Sequence, residues 1–185
     1  MFLLLALLFG APLVAAWLVY FKFPEWRPEG TTNYGQLINP AQPIPQWQFT
    51  DAQGKVADSS ALKGKWSLLY LAGAECVQSC QEKIFQIRQI RTLLNQERER
   101  VQRVYIAFDA GILAGAQKVL GENHPDLVYL VGPGNSLREF FQPPDPDAIY
   151  LLDPLGNWLM VYPAASDYKG MLKDLKKLLK LSHIG

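Results

Sequence analysis

The chain has almost no cysteine: its 185 residues contain two, Cys76 and Cys80. That number excludes a disulfide scaffold, and the close spacing makes the two read as a functional pair. There is no surplus of charge either, since 18 Lys and Arg against 17 Asp and Glu leave a formal net charge of +1. A nucleic-acid partner is thereby disfavoured, because neutralising a phosphate backbone takes a concentrated basic surface. No internal repeat is present. Gly132-Pro133-Gly134 lacks the Lys-Ser/Thr continuation of a phosphate loop and reads as a turn. Finally, no charged side chain occurs from Met1 to Phe21; Lys22 is the first.

That uncharged start is membrane material. At about 1.5 Å per helical residue, residues 1–21 are long enough to cross a hydrocarbon core of roughly 30 Å. Trp17 and Tyr20 suit the interface, with Trp26 just beyond it. The rival reading is a cleaved secretory signal, since Val14-Ala15-Ala16 resembles a small-residue processing site; length favours the anchor. The following flank mixes Lys22 and Arg27 with Glu25 and Glu29, so charge does not fix orientation. Residues 22–45 are rich in Pro, Gly, Asn and Gln, without apolar periodicity, and read as an irregular juxtamembrane linker. Residues 46–185 then have the size of one domain with its own core.

Within that domain, residues 46–50 alternate apolar and polar, and Asp51-Ala52-Gln53-Gly54 turns the chain into a second short strand near residues 55–57, predicting a hairpin. Residues 66–71 are continuously apolar, as in a central strand covered on both faces. Ile84, Phe85, Ile87, Ile90, Leu93 and Leu94 recur at helical spacing. Strands are predicted at 104–108, 127–131, 148–152 and 158–162, and helices at 114–120, 136–141 and 168–181, the last with Met171, Leu172, Leu175, Leu178 and Leu179 facing inward. This order predicts an α/β domain, a mixed sheet flanked by helices on both faces, of thioredoxin-like type.

Cys76 and Cys80 fall where the central strand gives way to a helix. Their spacing sets both sulfurs on the first helical turn, close enough to form a disulfide or to hold one soft metal ion. A thiol at a helix N-terminus is favoured as thiolate. Cys76 reads as the nucleophile, and Cys80, nearer the apolar face, as the thiol that resolves a mixed disulfide. As ligands, two thiolates select Cu(I). A purely structural bridge over so short a loop stabilises little.

Cys-x-x-x-Cys after Trp66-Ser67-Leu68-Leu69-Tyr70-Leu71, the segment Tyr150-Leu-Leu-Asp-Pro-Leu-Gly-Asn-Trp158, the stretch Asn33-Tyr-Gly-Gln-Leu37 and the order of elements together resemble the Sco/SenC family of membrane-anchored, thioredoxin-like proteins. The resemblance covers nearly the whole chain. It implies a single-pass protein of the inner (cytoplasmic) membrane with its domain on the periplasmic or extracytoplasmic side. Such a protein assists metallation of the copper centre of cytochrome c oxidase, as a copper carrier or as a thiol reductant of that site. Implied partners are membrane lipid, through the N-terminal helix, and a cytochrome c oxidase subunit or another thiol protein; the implied cofactor is copper.

The sequence departs from the family in one informative place. Family members complete the copper site with a histidine shortly before the strand corresponding to 148–152; here the region reads Gln142-Pro-Pro-Asp-Pro-Asp147. Glu75, Val77 and Gln81 also replace the usual Phe or Pro neighbours of the cysteines. Asp145, a hard oxygen ligand, reads as a turn residue. His124 and His183 read as ordinary exposed histidines. Pro143, Pro144 and Pro146 compete to be the cis-proline of a thioredoxin-like site. Arg88, Arg91, Arg98, Arg100 and Arg103 read as a solvated helix face and its exit, and Lys169, Lys173, Lys176, Lys177 and Lys180 as the outer face of the last helix. The missing histidine shifts weight toward a thiol–disulfide oxidoreductase acting through Cys76 and Cys80. The alternatives are a Cu(I) metallochaperone using the same two sulfurs and a non-catalytic interaction module.

Overall fold

In the computed structural model, residues 2–23, 33–143, 145–182 and 184 are described. The chain divides into two units, Met1–Thr32 and Asn33–Gly185. The first contains helix α1 (Phe2–Phe21), which carries Pro12 and no charge. Its Leu4–Phe21 window has a mean hydropathy of 2.2, none of it buried against protein, and by length and composition it is able to cross a membrane. Trp26, Glu25, Arg27 and Glu29, named above for the flank, lie outside the described residues.

The second unit is built on eight strands: β1 (Gln36–Pro43), β2 (Gln48–Asp51), β3 (Val56–Asp58), β4 (Trp66–Ala72), β5 (Val101–Ala107), β6 (Leu127–Val131), β7 (Ile149–Leu152) and β8 (Asn157–Tyr162). They form one sheet in the order β1-β8-β7-β4-β5-β6-β2-β3. β4, β5 and β6 run parallel, and every other neighbouring pair is antiparallel. The helices are α2 (Gln78–Leu93), α3 (Ala110–Leu120), α4 (Gly134–Phe141) and α5 (Tyr168–Leu181). α2, α3 and α5 cover one face, where Ile84, Ala116 and Leu175 meet Leu68, Tyr105 and Leu151. α4 and the segment bearing Ile44, Trp47 and Leu62 cover the other, over Leu69, Ile106 and Leu152. Every residue of β4 is buried, because this central strand has cover on both sides.

Sequence chemistry accounts for the joints. In the two Asp-x-x-Gly turns one carboxylate oxygen accepts two backbone N–H groups: Asp51 Oδ1 from Gln53 and Lys55, both at 2.9 Å, and Asp153 Oδ1 from Leu155 at 2.9 Å and Asn157 at 2.8 Å. Gly54 and Gly156 close these turns at φ +80° and +88°, the left-handed region that favours glycine. On α2 the stripe Ile84, Ile87 and Ile90 has no exposed surface; burying each side chain is worth about 1.5–3 kcal/mol. Phe85 and Leu93, counted in the apolar pattern, are instead 50% and 44% exposed. Phe85 follows Ile84 by one residue, about 100° round the helix and off the inward stripe.

Residues 36–43, read from the sequence as linker, are a strand. β1 pairs with β8, Gln36 opposite Val161 and Pro43 opposite Asn157, with a register break between Leu37 and Gln42. Pattern gives no sign of it, because only Ile38 among these residues is even partly covered and nothing alternates. The compact unit thus begins at Asn33, tied down by Asp174 of α5. Its Oδ2 accepts the N–H of Tyr34 at 2.8 Å, the N–H of Gly35 at 2.9 Å and the hydroxyl of Tyr162 at 3.2 Å.

Candidate functional site

The two cysteines sit in the loop from β4 to α2. β4 ends at Ala72; Gly73, Ala74 and Glu75 are exposed; Val77 is the extended N-cap (φ −77°, ψ −175°) and α2 starts at Gln78. Cys80 therefore lies in the first turn, while Cys76 precedes the helix rather than sharing that turn as the spacing had suggested. The two are joined as a disulfide with Cα atoms 5.2 Å apart. Cys76 is 8% exposed and Cys80 3%, both packed into the core beneath α2. Gln81 Nε2 donates to the Cys76 carbonyl at 3.2 Å and steadies the loop.

A chemical consequence follows from the cap. Most helices occupy their first N–H groups with an Asp, Ser or Thr side chain, but Val77 has no acceptor to offer and no side-chain cap bond forms. The helix start thus keeps its positive character for the adjacent sulfurs, which works toward thiolate once the pair is reduced, while their burial works against it. No acidic residue stands in the first turn to oppose it.

The loop before β7 was the place for a third ligand. Asp145 there is a structural staple: Oδ1 accepts the Asp147 N–H at 3.1 Å and Oδ2 the Ala164 N–H at 2.8 Å. Asp147 in turn accepts the Tyr70 hydroxyl at 2.7 Å. Burial, helped by that carboxylate, pushes the Tyr70 phenol far above the ordinary tyrosine range. Pro146 does not carry the cis bond; the cis peptide found among the described residues is Asn39–Pro40. Pro144 and His183 lie outside the described residues.

His124 is the clearest correction. Expected to be exposed, it is 4% exposed, and its Nδ1 lies 3.3 Å from Arg103 Nη1. Burial, reinforced by the Arg103 cation, holds its imidazole below the ordinary histidine range. Arg103 is itself wholly buried and not part of a solvated face. It pairs with Asp126 through Nε at 3.2 Å and through Nη2, and Nη1 donates to the Ile84 carbonyl of α2 at 3.4 Å. Strand alternation carries the signal, since Val101, Arg103, Tyr105 and Ala107 share one face of β5. Arg100, from the same cluster, donates to the carbonyls of Leu179 at 3.1 Å and Ser182 at 2.7 Å, capping the end of α5. Lys173 stays on the outer face and contacts Tyr34, Nζ to hydroxyl 3.2 Å.

Cys76 and Cys80 are thus brought together, and neither Asp145 nor His124 joins them. Among the described residues no group of three or more His, Cys, Asp and Glu side chains is placed to hold a metal ion. The residues present do not make up the three-ligand copper site that the resemblance implied.

Residues 66–182 match the family model described as transmembrane-like, thioredoxin-like, C-terminal domain. The chain belongs to that family. Several solved structures resemble this family member. Yeast Sco1 superposes with a TM-score of 0.65 at 19% identity, covering 76% of this chain and 96% of its own. Copper-bound ScoI of Arabidopsis thaliana gives 0.61 at 19% identity, covering 75% and 98%. BsSco, a member of the Sco family of cytochrome c oxidase assembly proteins in which a disulfide switch has been identified, gives 0.58 at 19% identity, covering 77% and 96%. The Sco/SenC resemblance read from the sequence is therefore met at the level of fold. No curated protein matches the chain by sequence.

Proposed function

We propose that this protein is a membrane-anchored thiol–disulfide exchange protein in which Cys76 and Cys80 cycle between dithiol and disulfide, acting in cytochrome c oxidase assembly on the extracytoplasmic side of the inner membrane. The observation that carries the reading is the pair itself, at a helix start with no side-chain cap and, among the described residues, no third donor beside it. So short a loop gives little loop-closure stabilisation, which argues against a merely structural bridge. The fold likeness to BsSco supports the assembly role. The apolar helix α1, long enough to cross a membrane, supports the anchored part of the reading.

In the reducing direction, the Cys76 thiolate attacks one sulfur of a partner disulfide, forming a mixed disulfide and releasing the partner's other sulfur as thiolate. Cys80 then attacks Cys76 Sγ. The intramolecular disulfide forms, the partner leaves with two thiols, and two electrons have passed to it. A dithiol protein returns the pair to its reduced form.

The test uses the full chain in detergent micelles. The expected results are a dithiol potential well above the structural range below about −300 mV, and a mixed disulfide trapped in Cys80→Ser but not in Cys76→Ser. Stoichiometric Cu(I) binding under anaerobic conditions, lost in both variants, would replace exchange by a copper-carrier role. A bridge resistant to physiological reductants, with no mixed disulfide, would leave an interaction module.

A further inference from the structure

A second site lies across the sheet from α2. The chain runs from β4 outward to β5 and β6 and only then returns to the far side of β4 as β7, so the carboxyl end of β4 is a topological switch point, the crevice where open α/β sheets hold ligands. A cavity of about 500 Å³ occupies that crevice, within the size range of small-molecule sites. Its walls are Leu71, Phe108, Pro143 and Pro146, and its polar groups come from Arg138, Asp145 and Tyr150.

Three observations fix what it would take. Tyr150 is 1% exposed and its hydroxyl has no hydrogen-bond partner among the described residues, and a buried polar group left unpaired is destabilising unless something satisfies it. Arg138 is held with its guanidinium 5.2 Å above the Phe108 ring. A Cβ on Gly73 would come within 3.2 Å of its Nη2 and 3.1 Å of that ring, and one on Gly134 within 2.6 Å of Phe108 Cβ. Glycine at both places makes room for this stack. Yet the Arg138 guanidinium, exposed to solvent on the cavity wall, forms no ion pair or hydrogen bond with another described residue. Asp145, also on the cavity wall, forms no ion pair with Arg138; each of its oxygens accepts a backbone N–H.

The unpaired groups are therefore donors. A guanidinium can only donate, and burial together with the Asp145 carboxylate keeps the Tyr150 phenol protonated, as a donor. Apolar walls and unanswered donors call for a ligand with an apolar body and acceptor oxygens. We infer that the cavity binds a small carboxylate, its charge on Arg138, its apolar part against Phe108 and Pro146, and an oxygen toward Tyr150. The carboxylate belongs either to a free organic acid or to the C-terminus of another chain. The inference does not rest on the exchange chemistry of the cysteines.

The experiment titrates the isotope-labelled full chain in micelles, cysteines oxidised, with benzoate, with a hydrophobic tripeptide acid and with the same tripeptide amidated at its C-terminus. Shifts concentrated at Gly73, Phe108 and Tyr150, with affinity weakened about tenfold or more in Arg138→Gln, the scale of one charge-assisted hydrogen bond, and less in Tyr150→Phe, are expected. Binding of benzoate identifies a free acid as sufficient; binding of the tripeptide acid alone, and not its amide, identifies a chain terminus. No shift at these residues with either acid, or equal affinity in Arg138→Gln, overturns the inference whatever the cysteines do.

Discussion

Replacing Asp174 by alanine removes the group that fastens the start of the domain to its last helix. The side chain is 2% exposed, and one of its oxygens serves the N–H groups of Tyr34 and Gly35 and the Tyr162 hydroxyl. The Gly35 N–H is buried and loses its acceptor, at about 1–3 kcal/mol. The Tyr34 N–H is part-buried, so water makes up some of its loss. Tyr162 retains a weak acceptor in Met160 Sδ at 3.3 Å. Asp174→Ala is therefore expected to cost about 3 kcal/mol, or roughly 6–12 °C in Tm for a domain of this size. Asp174→Asn keeps an acceptor oxygen and should cost about 1 kcal/mol. Urea unfolding of the full chain in micelles, followed by tryptophan fluorescence, measures both. Hydrogen exchange at Tyr34 and Gly35 should accelerate in the alanine variant ahead of the rest of the domain. An alanine variant within about 0.5 kcal/mol of wild type, the range of ordinary surface changes, or an asparagine variant as damaged as the alanine one, would refute the account.

Two further outcomes are expected. Gly170→Ala, which in a free helix gains about 1 kcal/mol, should instead destabilise, because the new Cβ would lie 2.5–2.7 Å from the ring and Cβ of Tyr34; a rise in Tm would contradict this packing. His124 is depressed in the folded chain, so the unfolded chain binds its proton first. Stability should be full above the ordinary histidine value of 6.5 and decline as pH falls below it. His124→Gln should flatten unfolding free energy over that acid interval, and an unchanged slope would show that His124 does not titrate against the fold.

The sequence made some parts of this molecule plain and hid others for identifiable reasons. β4, α2 and α5 were legible because burial there follows a period: seven buried residues in a row in β4, Ile84, Ile87 and Ile90 in α2, and Met171, Leu175 and Leu179 in α5. The cysteine pair was legible because strand gives way to helix around it. β1 was not, since an edge strand with both faces wet has no apolar rhythm. Arg103 and Asp174 were missed for the opposite reason: a charged residue at an inward position looks like any other charge until its partner is known, and both partners lie far along the chain. Phase alone marks them, Arg103 alternating with Val101 and Tyr105, and Asp174 beside Leu175 on the inward stripe. The cavity draws on the end of β4, on Phe108 just after β5, on α4, on the loop before β7 and on β7 itself, and no local window of sequence contains it.

The sheet ends in two strands ill suited to recruit a neighbour. β1 includes Pro40 and Pro43, which have no N–H to offer, and its pairing breaks between Leu37 and Gln42; β3 is three residues long. Open sheet edges are templates for strand addition, and prolines, irregular register and brevity are the means by which natural chains blunt them. On the anchored reading this matters, because molecules confined to a surface meet far more often than molecules in bulk water. Blunt edges let such a chain crowd beside copies of itself without polymerising through its backbone, leaving its encounters to be decided by side chains.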